Sequence, residues 1–324
     1  MTVKERLLEF FEQNRGIYLS GEEIAEKLDC TRGAVWKAVK SLQENGYNIS
    51  AVTNKGYCLD SSTDILSSAG VKKYLSGNAE KLDISVFSTV ESTNLTLREY
   101  ANNGMQEGKV VIAGCQIKGR GRLGRSFFSP SNTGIYMSIL LRPDMTADKA
   151  VKITTAAAVA VCLAIEKVSD LKPEIKWVND VYLNGKKVCG ILTEAAFSME
   201  NGGLEYAVLG IGVNAYEPEN GFGDDIKNIA GAVFTQPQSD MRNRLVAEIL
   251  NSFIDFYNEL GHNTFYNDYR SRMMWLGENI NIISGNNKTP AKIIDIDSEC
   301  RLKVLYNDGT EGFVSSGEIS IRKA

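Results

Sequence analysis

The chain has one histidine, His262, among 324 residues. That scarcity argues against Ser-His-Asp and Cys-His catalysis and against histidine-rich metal sites. His262 itself lies in Leu260-Gly261-His262-Asn263, a helix-ending pattern that suits a surface or capping residue. The six cysteines, at 30, 58, 115, 162, 189 and 300, include no C-x-x-C pair. They read as reduced cytosolic thiols, not as a disulfide frame or a zinc site. No apolar run reaches the roughly 20 residues of a membrane helix. The opening Met1-Thr2-Val3-Lys4-Glu5-Arg6 lacks the apolar core of a signal peptide. A cytoplasmic protein without a membrane partner is expected. There is no G-x-x-x-x-G-K-[ST] phosphate loop. Net charge is −4, so nucleic-acid binding would have to use a local patch rather than a global field.

What the chain does have is Gln116-Ile117-Lys118-Gly119-Arg120-Gly121-Arg122-Leu123-Gly124-Arg125, with three arginines set among three glycines. Arginine presents a rigid fork of donors to carboxylate and phosphate oxygens. Glycine allows unusual dihedrals and close approach of a ligand. A loop of this kind can order over an anion and exclude water. Gly119, Gly121 and Gly124 also satisfy G-x-G-x-x-G, but the dinucleotide fingerprint needs a helix to open at the loop. Here Ser126-Phe127-Phe128-Ser129-Pro130 and a second strand follow instead, so the Rossmann reading fails on context.

Residues 1–60 read as three helices and a hairpin. The first helix covers Thr2 to Asn14. Ser20-Gly21-Glu22-Glu23 is a capping box for a short second helix to Leu28. Thr31 caps a third, to Asn45, with an apolar stripe at Val35, Ala38, Val39 and Leu42. Two strands then flank a turn at Thr53-Asn54-Lys55-Gly56. This is the order of a winged helix-turn-helix. Residues 1–60 carry eight Lys+Arg against nine Asp+Glu, yet from Cys30 to Gln43 Arg32, Lys37 and Lys40 stand without any acid. Arg32, Trp36, Lys40 and Gln43 lie away from the apolar stripe, a face that could enter a major groove, and Lys55 at the wing tip could reach phosphate.

Asp60-Ser61-Ser62-Thr63-Asp64 reads as a polar linker, followed by a helix to about Leu75. Helices then alternate with strands near 83–88, 109–116, 134–142, 174–183, 186–197 and 204–214. Asn184-Gly185 predicts a hairpin, and the Ala-rich helix over 146–168 should back a mixed sheet. From Gly277, short alternating runs at 280–283, 291–296, 302–305 and 312–314 suggest a small β-barrel.

Four further segments complete a constellation. Glu91-Ser92-Thr93-Asn94 opens a helix with hydroxyls and amides. Lys176-Trp177-Val178-Asn179-Asp180 is placed on a strand, Lys186-Lys187-Val188-Cys189-Gly190-Ile191-Leu192 follows the hairpin, and Gly210-Ile211-Gly212-Val213-Asn214 ends a strand. Together they offer cations, amides and close backbone approach at strand ends, which suits a small ligand plus a nucleotide phosphate. In order and type, with the Arg-Gly loop, they resemble bacterial biotin protein ligases. The winged module makes the chain similar to the bifunctional kind that also represses biotin operons.

The resemblance implies a multidomain α+β protein in three parts. These are a winged helix-turn-helix over 1–62, a class II aminoacyl-tRNA synthetase-like catalytic domain over 63–273, and an SH3-like barrel over 274–324. It implies biotin and ATP as substrates, Mg²⁺ with the ATP, and a biotin carboxyl carrier domain, operator DNA and a second copy as partners. Ser92, Thr93, Asn94 and Gln116 would bind biotin, with Gly190 and Gly210 allowing close approach. Gly119, Arg120 and Arg122 would order over biotin and the adenylate phosphate, and Lys187 would stabilise charge at the carboxylate–phosphate junction. Arg125, Phe127, Asn179 and Asn214 would serve the nucleotide together with Arg122, and Asp180 is a candidate near the metal. Arg32, Trp36, Lys37, Lys40 and Lys55 would face DNA. The chain departs from the family at Phe127, often tryptophan and expected to stack on adenine, and at Val178, usually proline. The competing readings are a lipoate or octanoate ligase, which lacks the Gly-Arg-Gly-Arg loop, and a biotin-sensing transcription factor without ligase activity.

Overall fold

A computed structural model describes residues 1–197, 203–315 and 319–323. The chain forms two compact units, Met1–Ser76 with Gln236–Ala247, and Gly77–Thr235 with Glu248–Ala324.

The first unit begins with α1 (Val3–Gln13), α2 (Gly21–Lys27) and α3 (Arg32–Glu44), then β1 (Ile49–Val52) and β2 (Gly56–Leu59). Thr2 with Glu5 and Ser20 with Glu23 close capping boxes on α1 and α2, and Thr31 caps α3. Each cap satisfies amide groups that a helix start leaves without partners. The expected stripe of α3 is the face that enters the core, where Val35 and Leu42 meet Leu7, Phe11, Ile24 and Leu59, all fully buried. β1 and β2 pair antiparallel as the wing.

Beyond residue 60 the structure corrects two expectations. The helix expected to run to Leu75 is only α4 (Ser68–Lys72), capped by Ser67. The polar stretch 60–64 is not a loose linker. Thr63 is buried, its carbonyl accepts from Arg15 at 2.6 Å, and the Asp64 carboxylate holds the Arg242 guanidinium at 2.9 Å. Nearby, Glu12 and Asp240 share Arg15 and Lys73 in a buried four-charge cluster with contacts of 2.6–3.1 Å. Polar residues there are satisfied by ionic partners far along the chain rather than by water, so local reading mistook them for a linker.

The second unit is built on a seven-stranded sheet of order β3-β4-β5-β9-β8-β7-β6. Its strands are β3 (Asp83–Phe87), β4 (Lys109–Ala113), β5 (Gly134–Leu141), β6 (Glu174–Lys176), β7 (Asp180–Leu183), β8 (Lys186–Phe197) and β9 (Leu204–Asn214). Only β3 and β4 run parallel; the other pairs are antiparallel. β5 is buried along its whole length, as a central strand covered on both faces should be. α5 (Thr93–Asn102) packs on β4, β5 and β9, and α6 (Val151–Val168) on β8 and β7. The hairpin at Asn184-Gly185 is present, with both residues at positive φ. The strand expected over 174–183 is broken. Trp177, Val178 and Asn179 form a turn between β6 and β7 that pairs Lys176 with Asp180, and the Trp177–Val178 peptide is cis. The turn is pinned by the indole of Trp177 donating to the Cys300 carbonyl (3.1 Å) and by Tyr269 Oη donating to the Val178 carbonyl (3.2 Å).

α7 (Met241–Asn258) starts in the first unit and continues into the second, and α8 (Tyr266–Ser271) follows. The C-terminal part is β-rich: β10 (Asn279–Ser284), β11 (Asn287–Ile296), β12 (Leu302–Tyr306), β13 (Glu311–Val314) and β14 (Ile319–Lys323). Their order is β13-β12-β11-β10-β14, and among the described residues β13 and β14 do not pair. The expected closed barrel is thus seen as a five-stranded antiparallel sheet. β14 was not anticipated, because its alternation follows directly on a Ser-Ser-Gly stretch. The whole is a mixed α+β fold with an N-terminal helix-turn-helix, a central sheet and a β-rich C-terminal part.

Candidate active site

A cleft opens on the central sheet where the ends of β8 and β9, the start of α5, the Arg-Gly loop and the β6–β7 turn meet. Its floor depends on two facing glycines, Gly190 and Gly212, cross-strand partners on β8 and β9. The Phe127 ring lies over them. A Cβ on Gly212 would come within 2.6 Å of that ring and one on Gly190 within 3.3 Å. Glycine is needed here for close approach of an aromatic side chain, not for an unusual dihedral.

The Arg-Gly loop joins β4 to β5, two antiparallel strands, so no helix follows it and the dinucleotide fingerprint is absent. The loop folds back on itself. Phe127 N–H donates to the Gly119 carbonyl (2.9 Å) and Gly121 N–H to the Arg125 carbonyl (2.8 Å). Leu123 and Gly124 carry the reversal at positive φ. Gly119 is enclosed by this fold and does not line the cleft. Its Cβ would stand 2.3 Å from the Phe127 carbonyl oxygen.

One end of the cleft is a buried polar pocket. Ser92, Thr93 and Asn94 are buried at the start of α5. Thr93 N–H donates to Gln116 Oε1 at 2.9 Å, and Gln116 Nε2 donates to Ser129 Oγ at 3.0 Å. Ser138, fully buried on β5, sets its hydroxyl 2.7 Å from Thr93 Oγ1 and 2.6 Å from Asn94 Oδ1. Asn94 Nδ2 donates to Glu194 Oε2 at 2.8 Å. Gly210 makes room for Asn94, whose Oδ1 would lie 2.2 Å from an added Cβ. Such a network holds amide and hydroxyl groups in fixed orientation before any ligand arrives.

The other end is cationic. Lys187 Nζ lies 2.6 Å from Asp180 Oδ1. Arg120 pairs with Glu194 at 3.1 Å, and Arg122 donates to Asn179 Oδ1 at 2.9 Å. Burial pushes the Arg122 pKa down, partly offset by Asp180. Burial, then the charge of Arg322, pulls Lys176 down to about 8. Arg125 and Arg322 also face the cleft, and among the described lining residues Asp180 is the one carboxylate. A preponderance of cations over one acid suits a polyanionic ligand.

The structure therefore gathers Ser92, Thr93, Asn94, Gln116, Arg120, Arg122, Arg125, Phe127, Asn179, Lys187, Gly190 and Gly210 at one cleft. Asn214 stands outside it, its side chain donating to the Gly231 carbonyl at 3.0 Å. Sequence reasoning missed Ser138 and Glu194 and gave no role to Lys176, Gly212 or Arg322. Ser138 carried a signal, as the one small polar side chain in Ile135–Leu141. Glu194 carried a weaker one, sharing a strand face with Gly190 by period two.

On the helix-turn-helix, Arg32, Trp36, Lys37 and Lys40 are exposed along α3, with Trp36 at 52%. Lys55 is exposed at the wing, 5.8 Å from the centre of the Tyr18 ring. Gln43 departs from the expected face, because its side chain donates to the Ile49 carbonyl at 2.7 Å and ties α3 to the wing.

Comparisons with known proteins agree with this layout. Residues 86–214 match the Biotin/lipoate A/B protein ligase family, residues 3–58 an HTH domain, and residues 275–322 the Biotin protein ligase C terminal domain. The bifunctional ligase/repressor BirA of Bacillus subtilis (strain 168) is 33% identical over 97% of this chain and 98% of its own. The protein of the same name from Escherichia coli (strain K12) is 26% identical over 95% of this chain and 94% of its own. A solved structure, a biotin protein ligase from Aquifex aeolicus in complex with biotin and ATP, superposes with a TM-score of 0.63 at 26% identity. It covers 75% of this chain and 99% of that one. The chain belongs to the biotin protein ligase family, in the bifunctional ligase/repressor group that carries an N-terminal helix-turn-helix.

Proposed function

We propose that this protein activates biotin with ATP to biotinyl-5′-AMP and transfers the biotinyl group to a lysine of a biotin carboxyl carrier domain. It also represses biotin genes through its helix-turn-helix. The observation that carries the reading is one cleft with a rigid amide-and-hydroxyl pocket at one end and converging arginines and lysines at the other. Ser92, Thr93, Asn94 and Gln116 hold the ureido ring, supported by Ser138. The biotin carboxylate oxygen attacks the α-phosphorus of ATP, the bond to the β-phosphate oxygen breaks, and pyrophosphate leaves with that electron pair. Lys187, Arg120 and Arg122 stabilise the charge that shifts onto the phosphoryl oxygens, which requires position and field rather than an enzyme nucleophile. Gly119 keeps the loop folded, and Arg125, Phe127 and Asn179 serve the nucleotide, with Asn214 supporting the adjoining loop. A carrier lysine then attacks the acyl carbon and AMP departs.

Among the described residues no group of three acids, cysteines or histidines could hold a metal. Magnesium would enter with ATP, held chiefly by its phosphates, and Asp180 is the one carboxylate among the described residues that line the cleft. The domain reading remains 1–62, 63–273 and 274–324, with a class II synthetase-like centre and an SH3-like C-terminal part. Cytoplasmic location and a homodimer on operator DNA belong to the same proposal. No helix among the described residues is long and apolar enough to cross a membrane. The test is biotin-dependent ATP–pyrophosphate exchange and label transfer to a carrier domain, run beside lipoate. Exchange with lipoate and not biotin would overturn the substrate. Operator binding without exchange would leave a sensor only.

A further inference from the structure

Side chains of the Arg-Gly loop are tied to other parts of its unit. Lys118 Nζ lies 2.9 Å from Glu91 Oε1 and Arg120 Nη1 3.1 Å from Glu194 Oε1, and Arg122 Nη1 donates to Asn179 Oδ1 at 2.9 Å. Glu194 also has a partner in the polar pocket. Its other oxygen, Oε2, accepts from Asn94 Nδ2 at 2.8 Å. Asn94 is buried, and its Oδ1 lies 2.6 Å from the Ser138 hydroxyl. Glu194 stands on β8 opposite Val208, two residues beyond Leu192 and four beyond Gly190. Those two line the cleft, and the strand period sets Glu194 on the same face. Among the described residues that line the cleft Glu194 is absent, so its effect on a ligand runs through its two partners. A carboxylate is acceptor-only, and one such group here serves a donor from the pocket and a donor from the loop.

We propose that Glu194 is a positioning residue that couples the polar pocket to the Arg-Gly loop, so that filling the pocket fixes Arg120. The proposal rests on the ligase reading above, in which Asn94 meets biotin and Arg120 orders over it. In the empty protein the Arg120–Glu194 pair holds the loop weakly, because the two side chains are 40% and 22% exposed to water. A ligand in the pocket displaces water from Asn94 and immobilises its amide. The carboxylate bonded to that amide then keeps one orientation, with Oε1 left for Arg120. Ordering Glu194 once, through Asn94, lowers the entropy that is lost when Arg120 docks. By linkage, the docked loop tightens the pocket on its ligand by the same factor. A glutamine at 194 has nearly the same shape but one acceptor oxygen, and it turns an NH₂ group toward whichever donor that oxygen does not serve. It can hold Asn94 or Arg120, not both.

Full-length wild type, Glu194→Gln, Arg120→Met and the double variant are compared with biotin alone, by equilibrium binding and by hydrogen exchange at residues 119–125. Biotin should slow exchange of the loop in wild type. It should leave exchange unchanged in Glu194→Gln, and in Arg120→Met, which breaks the link from its exposed end. Each single variant should raise the Kd for biotin about tenfold, the loss of one charge-assisted hydrogen bond. The double variant should bind within about twofold of the weaker single variant, because both changes break one link. Losses that multiply would mean that Glu194 merely anchors Asn94, and would overturn the coupling. So would equal protection of the loop by biotin in wild type and Glu194→Gln, or none in either. A Kd for biotin in Glu194→Gln within about twofold of wild type, too small for a lost charge-assisted bond, would overturn it too. Wild type without biotin-dependent ATP–pyrophosphate exchange would instead remove the ligase reading, and the coupling with it.

Discussion

Replacing Lys187 with alanine removes the cation nearest the proposed reaction centre and leaves Asp180 without its 2.6 Å partner. Two consequences separate cleanly. The ion pair sits in a cleft open to water, with the lysine side chain 30% and the aspartate 19% exposed. Its loss should therefore cost about 1 kcal/mol of folding stability at most, near the upper end for accessible pairs. Catalysis should suffer far more, because a cation aimed at developing charge typically contributes about 10²–10³ in rate. Single-turnover formation of biotinyl-adenylate reads the chemical step alone. Pairing Lys187→Ala with Asp180→Asn then tests whether an unneutralised carboxylate, rather than the missing lysine, causes the loss. If the double variant recovers most of the rate, the acid was the inhibitor. Adenylate formation by Lys187→Ala within threefold of wild type would refute the assignment outright.

Gly212→Ala should disturb Phe127 more than Gly190→Ala, since the added carbon would meet the ring at 2.6 Å instead of 3.3 Å. KM for ATP should rise more in the first variant, and equal effects would show that the ring position does not matter to the nucleotide. Ser138→Ala leaves buried Thr93 and Asn94 without their shared hydroxyl. It should cost about 1–3 kcal/mol and raise KM for biotin with little change in KM for ATP, both read by denaturation and steady-state exchange. Asp240→Ala strips Arg15 and Lys73 of a buried acid, and unfolding should become easier by about 3–5 kcal/mol. A shift in chemical denaturation below 1 kcal/mol would mean that water already screens the cluster.

Local chemistry was legible where the answer is local. The capping box at Ser20, the stripe of α3, the Asn-Gly hairpin and the strand over β5 each follow from side chains a few residues apart, and each stands where the pattern placed it. The functional motifs were legible because glycines and arginines at fixed spacing are hard to explain as packing. What failed depended on partners outside the repeating pattern of the element itself, most of them distant in sequence. The stretch 60–64 looks like a linker until Arg242 is set against Asp64. Gln43 looks like a groove-facing donor until the wing carbonyl of Ile49 captures it. The Lys-Trp-Val-Asn-Asp segment has strand composition throughout, and its turn is imposed by Cys300 and Tyr269.

The buried cluster also bears on how the proposed repressor activity should be tested. Cutting the chain at residue 62 would remove Glu12 and Arg15 and expose Lys73 and Asp240, so a lost activity could be mere destabilisation. Substitutions on the exposed face of α3 avoid this. Arg32→Ala and Lys40→Ala should leave adenylation unchanged and weaken operator binding, and they should lower its salt dependence by about one phosphate contact each. One module with three basic residues on its reading helix cannot supply much affinity alone, since non-specific binding is typically about 10⁻⁴–10⁻⁶ M. Useful specificity calls for two modules on a two-fold site. If biotinyl-adenylate favours that dimer, linkage requires that operator DNA tighten adenylate binding by the same factor. Operator titrations with and without biotin plus ATP, alongside sedimentation, test both directions. Tight binding by a monomer, or binding indifferent to biotin plus ATP, would leave a DNA-binding protein standing but refute the switch.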